Sequence, residues 1–230
     1  MRTWPSLQTS RPYAWPLAEQ WSVRDTALLS IDMQRDFLSP DGYFASLGED
    51  LSHVRRGIAP AEKVLLAARK AGLFIIHTRE SHRPDLSDLH DNKRRKAERA
   101  GAPIGSVGPM GRLLVRGELG CDFIASLKPE AGEIVIDKPG NGAFFATDLE
   151  LILRVRNIKN IILMGVTTDV CVSSTMRDAN DRGFDCLLLE DCCGAATAPL
   201  HEAVIAGLSR EGGIFGAYIT SEDLIRQMGV

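Results

Sequence analysis

A cysteine that opens a helix, a lysine that ends a strand and an aspartate that follows another strand can together make a covalent hydrolase. In this sequence they are Cys171, within Gly165-Val-Thr-Thr-Asp-Val-Cys171-Val172; Lys138, after the apolar run 133–137; and Asp32, after the run 27–31. A thiol in the first turn of a helix feels the positive end of the macrodipole, which favours the thiolate. The backbone N–H groups of that turn lack helical partners and are free to hold the oxyanion of a tetrahedral intermediate. An ammonium from Lys138 would lower the thiol pKa further, and Asp32 would take the thiol proton and return it to a leaving amine. Read singly, each residue has a plainer role: Cys171 as a small buried apolar group, Asp32 as a cap, Lys138 as a surface charge. Spacing alone leaves the two accounts about even.

The elements that must position these groups are visible in the periodicity. From Asp25 onward, short runs rich in β-branched residues alternate with stretches of helical spacing, the pattern of βαβ units around a buried parallel sheet. Strands are expected at 27–31, 73–77, 133–137, 160–164 and 186–190, with a final one at 214–219. Helices are expected at 59–71, 148–155, 170–182 and 199–208, and from Ser221 onward. The fold class is therefore α/β, a three-layer α/β/α sandwich with a mainly parallel, Rossmann-like sheet. Ligands of such sheets collect beyond the carboxyl ends of the strands, where Asp32, Lys138 and Cys171 all fall.

The 230 residues divide into an N-terminal arm, 1–24, and one domain, 25–230. The arm carries Trp4, Pro5, Pro12, Trp15, Pro16 and Trp21, too many prolines for a helix and too many tryptophans for a free linker. It should pack on its own domain or on a neighbouring subunit. From Glu80 to Arg116 regularity dissolves into prolines, glycines and charge, as in a functional loop or packed insertion, and the run Lys93-Arg-Arg-Lys96 reads first as a solvated face, with an anion-binding role as the alternative. Hydrophobic residues make up 44% and the formal charge is -3, so a sizeable core is available and no broad basic field attracts nucleic acid or a membrane surface. Five irregularly spaced cysteines, no CxxC pair, no signal peptide and no membrane-length apolar run point to a reducing cytoplasm.

Ala27-Leu-Leu-Ser-Ile-Asp32-Met-Gln-Arg-Asp36-Phe37, Ile76-His-Thr-Arg79, Asp137-Lys138 and the Cys171 segment resemble the isochorismatase-like cysteine hydrolases, over about residues 25–215. The resemblance implies the fold of that family and its Asp, Lys, Cys triad, on Asp32, Lys138 and Cys171. It also implies a cis peptide before Thr167 and an oxyanion hole made by the backbone N–H groups of Thr167 and Cys171. The stretches 77–86, 146–151, 175–183 and 187–194 resemble the biuret- and triuret-cleaving branch. That implies an amidohydrolase acting on a small ureide, biuret giving allophanate and ammonia, through an acyl-enzyme on Cys171. Triuret and ureidoacrylate are the alternative substrates, and a non-catalytic binding protein is the remote alternative. In Arg210-Glu-Gly-Gly213, Glu211 stands where that branch carries a glutamine. From loop position, Phe37 and Phe144 are expected as apolar walls, and Glu80 and Glu211 as partners of substrate N–H groups. Nicotinamidases of the same family bind a metal through an Asp and two His after the second strand. Glu80, His82, Asp85 and His90 have the wrong spacing for that, so neither metal nor other cofactor is expected. The resemblance and the Trp-rich arm together suggest a homotetramer.

Overall fold

The computed structural model describes residues 2–230. The chain opens with an antiparallel hairpin, β1 (Thr3–Leu7) and β2 (Trp15–Ser22), and then enters the sheet at β3 (Thr26–Ile31). Three short turns, α1 (Arg35–Leu38), α2 (Tyr43–Ser46) and α3 (Leu51–Arg55), lead to the crossover helix α4 (Ile58–Ala71) and to β4 (Phe74–Glu80). After β4 come α5 (Asp91–Arg99), the two-residue strands β5 (Val107–Gly108) and β6 (Gly111–Arg112), and β7 (Ile134–Lys138). The second half runs α6 (Leu149–Val155), β8 (Asn160–Val166), α7 (Ser173–Asp181), β9 (Asp185–Gly194), α8 (Ala198–Leu208), β10 (Ala217–Ile219) and α9 (Ser221–Met228).

Six of these strands form one parallel sheet in the order β10-β9-β8-β3-β4-β7. The chain starts the sheet in its middle, builds outward through β4 and β7, and then returns to the other side of β3 with β8. The sequence of strands therefore reverses between β3 and β8, and the loops leaving their carboxyl ends diverge there into a crevice. Alternation along the strands divides the interior into two cores. Leu28, Ile162 and Leu187 pack with Val64, Leu65 and Ala68 of α4 and Leu224 of α9. Ala27, Leu29, Ile161 and Leu163 pack with Leu149 and Leu153 of α6 and Met176 and Ala179 of α7. The three layers expected from the periodicity are thus present: β3, β4, β8 and β9 extend one to five residues beyond the length of their apolar runs, β7 matches its run in length, and β10 is shorter than expected.

The arm is not a separate body. Trp4, Trp15 and Trp21 belong to the core that also contains α4 and α9, and Trp15 and Trp21 have no exposed surface. Trp4 Nε1 donates to Met228 O, Leu17 N donates to Asp185, and Arg11 forms a bridge to Tyr218 on the edge strand β10. The reading in which the arm packs on its own domain is the one realised, so its tryptophans supply no contact for a second subunit. The expected unstructured insertion also contains more order than its sequence suggested, because α5 forms within it. Only Ala97 of that helix is buried, which is why no apolar period marked it. Among the described residues no helix is long and apolar enough to cross a membrane.

One glycine fixes the approach of the two strands at the crevice. Gly165 has φ +133°, and a Cβ there would lie 2.1 Å from Ile31 O on β3. Gly165→Ala is expected to lower the unfolding free energy by about 3 kcal/mol or more, since backbone must move to admit the methyl group. An unchanged midpoint in a urea titration would contradict that account.

Candidate active site

Four adjacent strands deliver one polar side chain each to the crevice. Glu80 and Lys138 are the last residues of β4 and β7 and are paired in register, while Asp32 directly follows β3. Cys171 lies in a π-helical turn, Thr168–Val172, that joins β8 to α7. Asp32 has φ +52°, a left-handed conformation that turns its carboxylate back toward the neighbouring strand ends. Its Oδ1 accepts from Thr78 Oγ1 at 2.6 Å, and its backbone N donates to Thr78 O at 3.1 Å.

The cluster is sealed: Asp32 and Lys138 are fully buried and Cys171 is 3% exposed. Lys138 Nζ lies 2.8 Å from Asp32 Oδ2, 3.5 Å from Glu80 Oε2 and 3.5 Å from Cys171 Sγ. It also donates to the carbonyl oxygens of Gly140 (3.0 Å) and Asn141 (2.9 Å), which fix the ammonium from the loop side. The thiol donates to Glu80 Oε2 at 3.3 Å. Glu80 Oε1 in turn accepts from Lys93 Nζ at 2.6 Å. Two ammonium groups and two carboxylates thus surround the thiol, and their formal charges cancel.

The protonation states follow from burial and these neighbours. Burial opposes the charge of Lys138, but Asp32, Cys171 and Glu80 outweigh it and hold the lysine well above its ordinary value. Burial would likewise raise Glu80, yet Lys138 and Lys93 bring it down to about 2. Asp32 is raised, with burial prevailing over the attraction of Lys138. Cys171 is raised well above the ordinary thiol value, first by burial and then by Asp32 and Glu80, against Lys138. This corrects the expectation of a lowered thiol pKa: a helix terminus and one ammonium do not offset full burial beside two carboxylates. At rest the Cys171 side chain is therefore a thiol rather than a thiolate.

Around Cys171 the backbone is shaped for a second task. The Val166–Thr167 peptide is cis, as the resemblance implied. The Thr167 carbonyl accepts from Val170 N (3.2 Å) and Val172 N (3.1 Å), bonds that pass over the Cys171 amide. From beneath, Thr168 Oγ1 contacts His201 Nδ1 at 2.9 Å, and His201 Nε2 lies 2.8 Å from Arg56 Nη2. Arg56 has only donors to offer, so His201 Nε2 accepts and Nδ1–H donates to Thr168. Burial and the Arg56 charge lower His201 to about 4. An unfolded histidine takes its proton near the ordinary 6.5, the folded one only near 4, so between these values the unfolded chain holds the extra proton. Stability is therefore full above this window and falls as pH drops through it. Buried His77 and His82 are lowered too and add to the same loss. Urea midpoints between pH 7 and 4 should decline, less steeply in His201→Gln; equal slopes would refute the assignment to His201.

Of the other expected contacts, Glu80 is the one brought to the cluster. Phe37 meets the site by way of Tyr43, whose ring it touches edge-on at 6.0 Å. Burial and the nearby Glu80 and Cys171 push the Tyr43 hydroxyl up to about 12, so it stands by as a neutral donor. Phe144 is corrected: its ring stacks on Phe184 and lies beside the Arg182 guanidinium at the far end of α7. The neighbouring Phe145, 56% exposed, takes the wall position and flanks Gly140. Glu211 is corrected as well. It is exposed, in the turn between α8 and β10, where Gly213 meets Pro12 and Tyr13 and Gly216 meets Cys186, at the amino ends of β9 and β10, whereas Cys171 lies beyond the carboxyl end of β8.

Nothing in the sequence marked His201, whose partners lie 33 and 145 residues away, and Lys93 stood in a run read first as a solvated face. Asp32, Glu80 and Cys171 form the single grouping with metal-ligand atoms mutually within 4.8 Å among the described residues. The Lys138 ammonium already stands among those atoms and neutralises them. His82 instead contacts Asp88 Oδ1, Asp85 caps Ser87 N, and His90 caps Lys93 N.

Comparison with known proteins gives a consistent picture. Residues 26–223 match the Isochorismatase domain family. The chain is 32% identical to the ureidoacrylate amidohydrolase RutB of Variovorax paradoxus, over 96% of this chain and 87% of that protein. It is also 32% identical to the RutB of Acinetobacter baylyi, over 83% and 79%. Among solved structures, a cysteine hydrolase from Pseudomonas syringae pv. phaseolicola superposes with a TM-score of 0.76 at 25% identity, covering 91% of this chain and 94% of that one. N-carbamoylsarcosine amidase from Thermoplasma acidophilum gives 0.66 at 25% identity, covering 86% and 97%.

Proposed function

This chain belongs to the isochorismatase domain family, and from that premise we propose that it hydrolyses a C–N bond of a small ureide through a covalent intermediate on Cys171. The observation that carries the reading is the sealed cluster in which Sγ, the Lys138 ammonium and the carboxylates of Asp32 and Glu80 meet. Asp32 takes the proton of the Cys171 thiol as Sγ attacks the ureide carbonyl. The raised affinity of Asp32 for a proton suits it to this, because proton transfer is most effective between groups of similar pKa. The oxyanion is received by the backbone N–H groups of Thr167 and Cys171. Asp32 then gives its proton to the departing nitrogen, leaving a thioester-like acyl-enzyme. Water, deprotonated by the same carboxylate, attacks the acyl carbon and returns Cys171 as a thiol. Lys138 keeps the cluster neutral and orients Asp32 throughout, and Glu80 accepts from the ureido N–H groups.

Biuret fits this scheme: attack at one carbonyl releases ammonia, and hydrolysis of the acyl-enzyme yields allophanate. A second reading, ureidoacrylate, is favoured by the relatives that share a third of their sequence with this chain. A cytoplasmic site of action accords with five buried, unpaired cysteines. Ammonia release from biuret, triuret, ureidoacrylate and nicotinamide, measured in parallel on purified protein, tests the proposal. Turnover of at least one ureide with none of nicotinamide is expected, and turnover of nicotinamide alone would overturn it.

A further inference from the structure

We propose that the cleft beside the catalytic cluster is a subsite for an anionic group, so that the preferred ureide carries a carboxylate away from its scissile carbonyl; this rests on the ureide reading above. The cleft holds 260 Å³ and is lined by His90, Asn92, Lys93, Lys96, Asn141 and Phe145, together with Gly140. No acidic side chain faces it. Lys93 connects it to the reacting atoms: its Nζ donates to Glu80 Oε1 (2.6 Å) and Pro139 O (2.7 Å), and the other Glu80 oxygen is 3.3 Å from Cys171 Sγ. An ammonium has three donors, so the third remains for a group in the cleft.

Lys96 lies three residues further along α5, on the same side of the helix. The other cations of that run are already committed, Arg94 to Asp91 and Glu98 and Arg95 to Asp91. Lys96 has no ion pair among the described residues and is exposed at the cleft. Glu80 already meets the charge of Lys93, and the intervening arginines are neutralised, so Lys96 is the cation at this cleft without an internal partner, while Lys93 adds its free donor. Phe145 offers the flat apolar wall on which a planar acyl chain lies. A carboxylate placed between that ring and the two lysines gains charge-assisted hydrogen bonds, about twice as strong as those a neutral amide makes. Biuret has no charge to put there. The cleft therefore separates the two substrate readings, in favour of a ureido acid.

Steady-state turnover of 3-ureidopropionate and of 3-ureidopropionamide, which differ only in carboxylate against amide, tests the subsite. In the wild-type chain kcat/KM for the acid should exceed that for the amide by on the order of tenfold, mainly through KM. Lys96→Ala should bring the ratio close to one by raising KM for the acid, and Lys96→Arg should restore it. Equal rates for acid and amide in the wild type, or a proportional fall for both in Lys96→Ala, would overturn the subsite. If neither compound nor biuret is hydrolysed, the ureide reading fails, and calorimetric binding of 3-ureidopropionate decides the subsite separately. Binding that weakens on the order of tenfold in Lys96→Ala sustains it; absent or unaltered binding overturns it.

Discussion

Cys171→Ser loses turnover of every ureide that the wild-type chain accepts, with kcat lowered at least about 10³-fold. The reason lies in the geometry of the proton. The thiol sits 3.3 Å from Glu80 Oε2, within 4.8 Å of the Asp32 carboxylate and 3.5 Å from the Lys138 ammonium. All of these are set for a sulfur that ionises only as it attacks. A serine hydroxyl starts many orders of magnitude less acidic, and the same carboxylate cannot draw its proton off at useful cost. The exchange is nearly isosteric and the hydroxyl retains the same acceptors, so the urea midpoint should move by less than about 1 kcal/mol in free energy. Ammonia release read beside a urea titration separates the two effects. Residual kcat above about one per cent in a stable variant would remove Cys171 from the nucleophile's role.

What could be read in advance divides along a physical line. β3 and β8 bury both faces, so their apolar runs are continuous and their ends are sharp; β7, at the edge of the sheet, exposes Val135 but still runs apolar through 134–136. Asp32, Lys138 and the turn holding Cys171 fall just past those ends and were legible for that reason. Glu80 followed from the same position on β4. The misreadings all concern side chains whose direction is set by tertiary packing. Phe144 and Phe145 are adjacent and chemically identical, and only the fit of the first against Phe184 turns it inward. Glu211 was placed by its likeness to a loop pattern, but α8 runs back along the sheet and carries the residue to the amino ends of the strands, away from Cys171. Lys93 was hidden in a charge run because α5 has a single buried residue and hence no amphipathic signal. The expected lowering of the Cys171 pKa failed for an electrostatic reason: sequence suggests which charges are near, while burial, which sets the sign of the shift, is a property of the fold.

The same reasoning gives Lys138 the largest expected effect on stability. Lys138→Met leaves the carboxylates of Asp32 and Glu80 buried within 4.8 Å of each other, with Lys93 as the remaining cation and bound to Glu80 alone. Removing one partner of a buried ion pair costs about 3–5 kcal/mol, because the charge left behind has lost its solvation without compensation. Such a pair cannot stay doubly ionised, so one carboxyl takes up a proton and the base that should receive the thiol proton is already protonated. Activity is expected to vanish together with the stability. Adding Asp32→Asn to Lys138→Met removes the stranded charge, and the double variant should regain more than about 1 kcal/mol over the sum of the single changes while remaining inactive. A double-mutant cycle in urea measures this coupling. Additivity within about 0.5 kcal/mol would mean that lysine and aspartate are not the coupled pair their 2.8 Å contact describes. Strong coupling would show that the Lys138 charge is what permits Asp32 to be buried as a carboxylate.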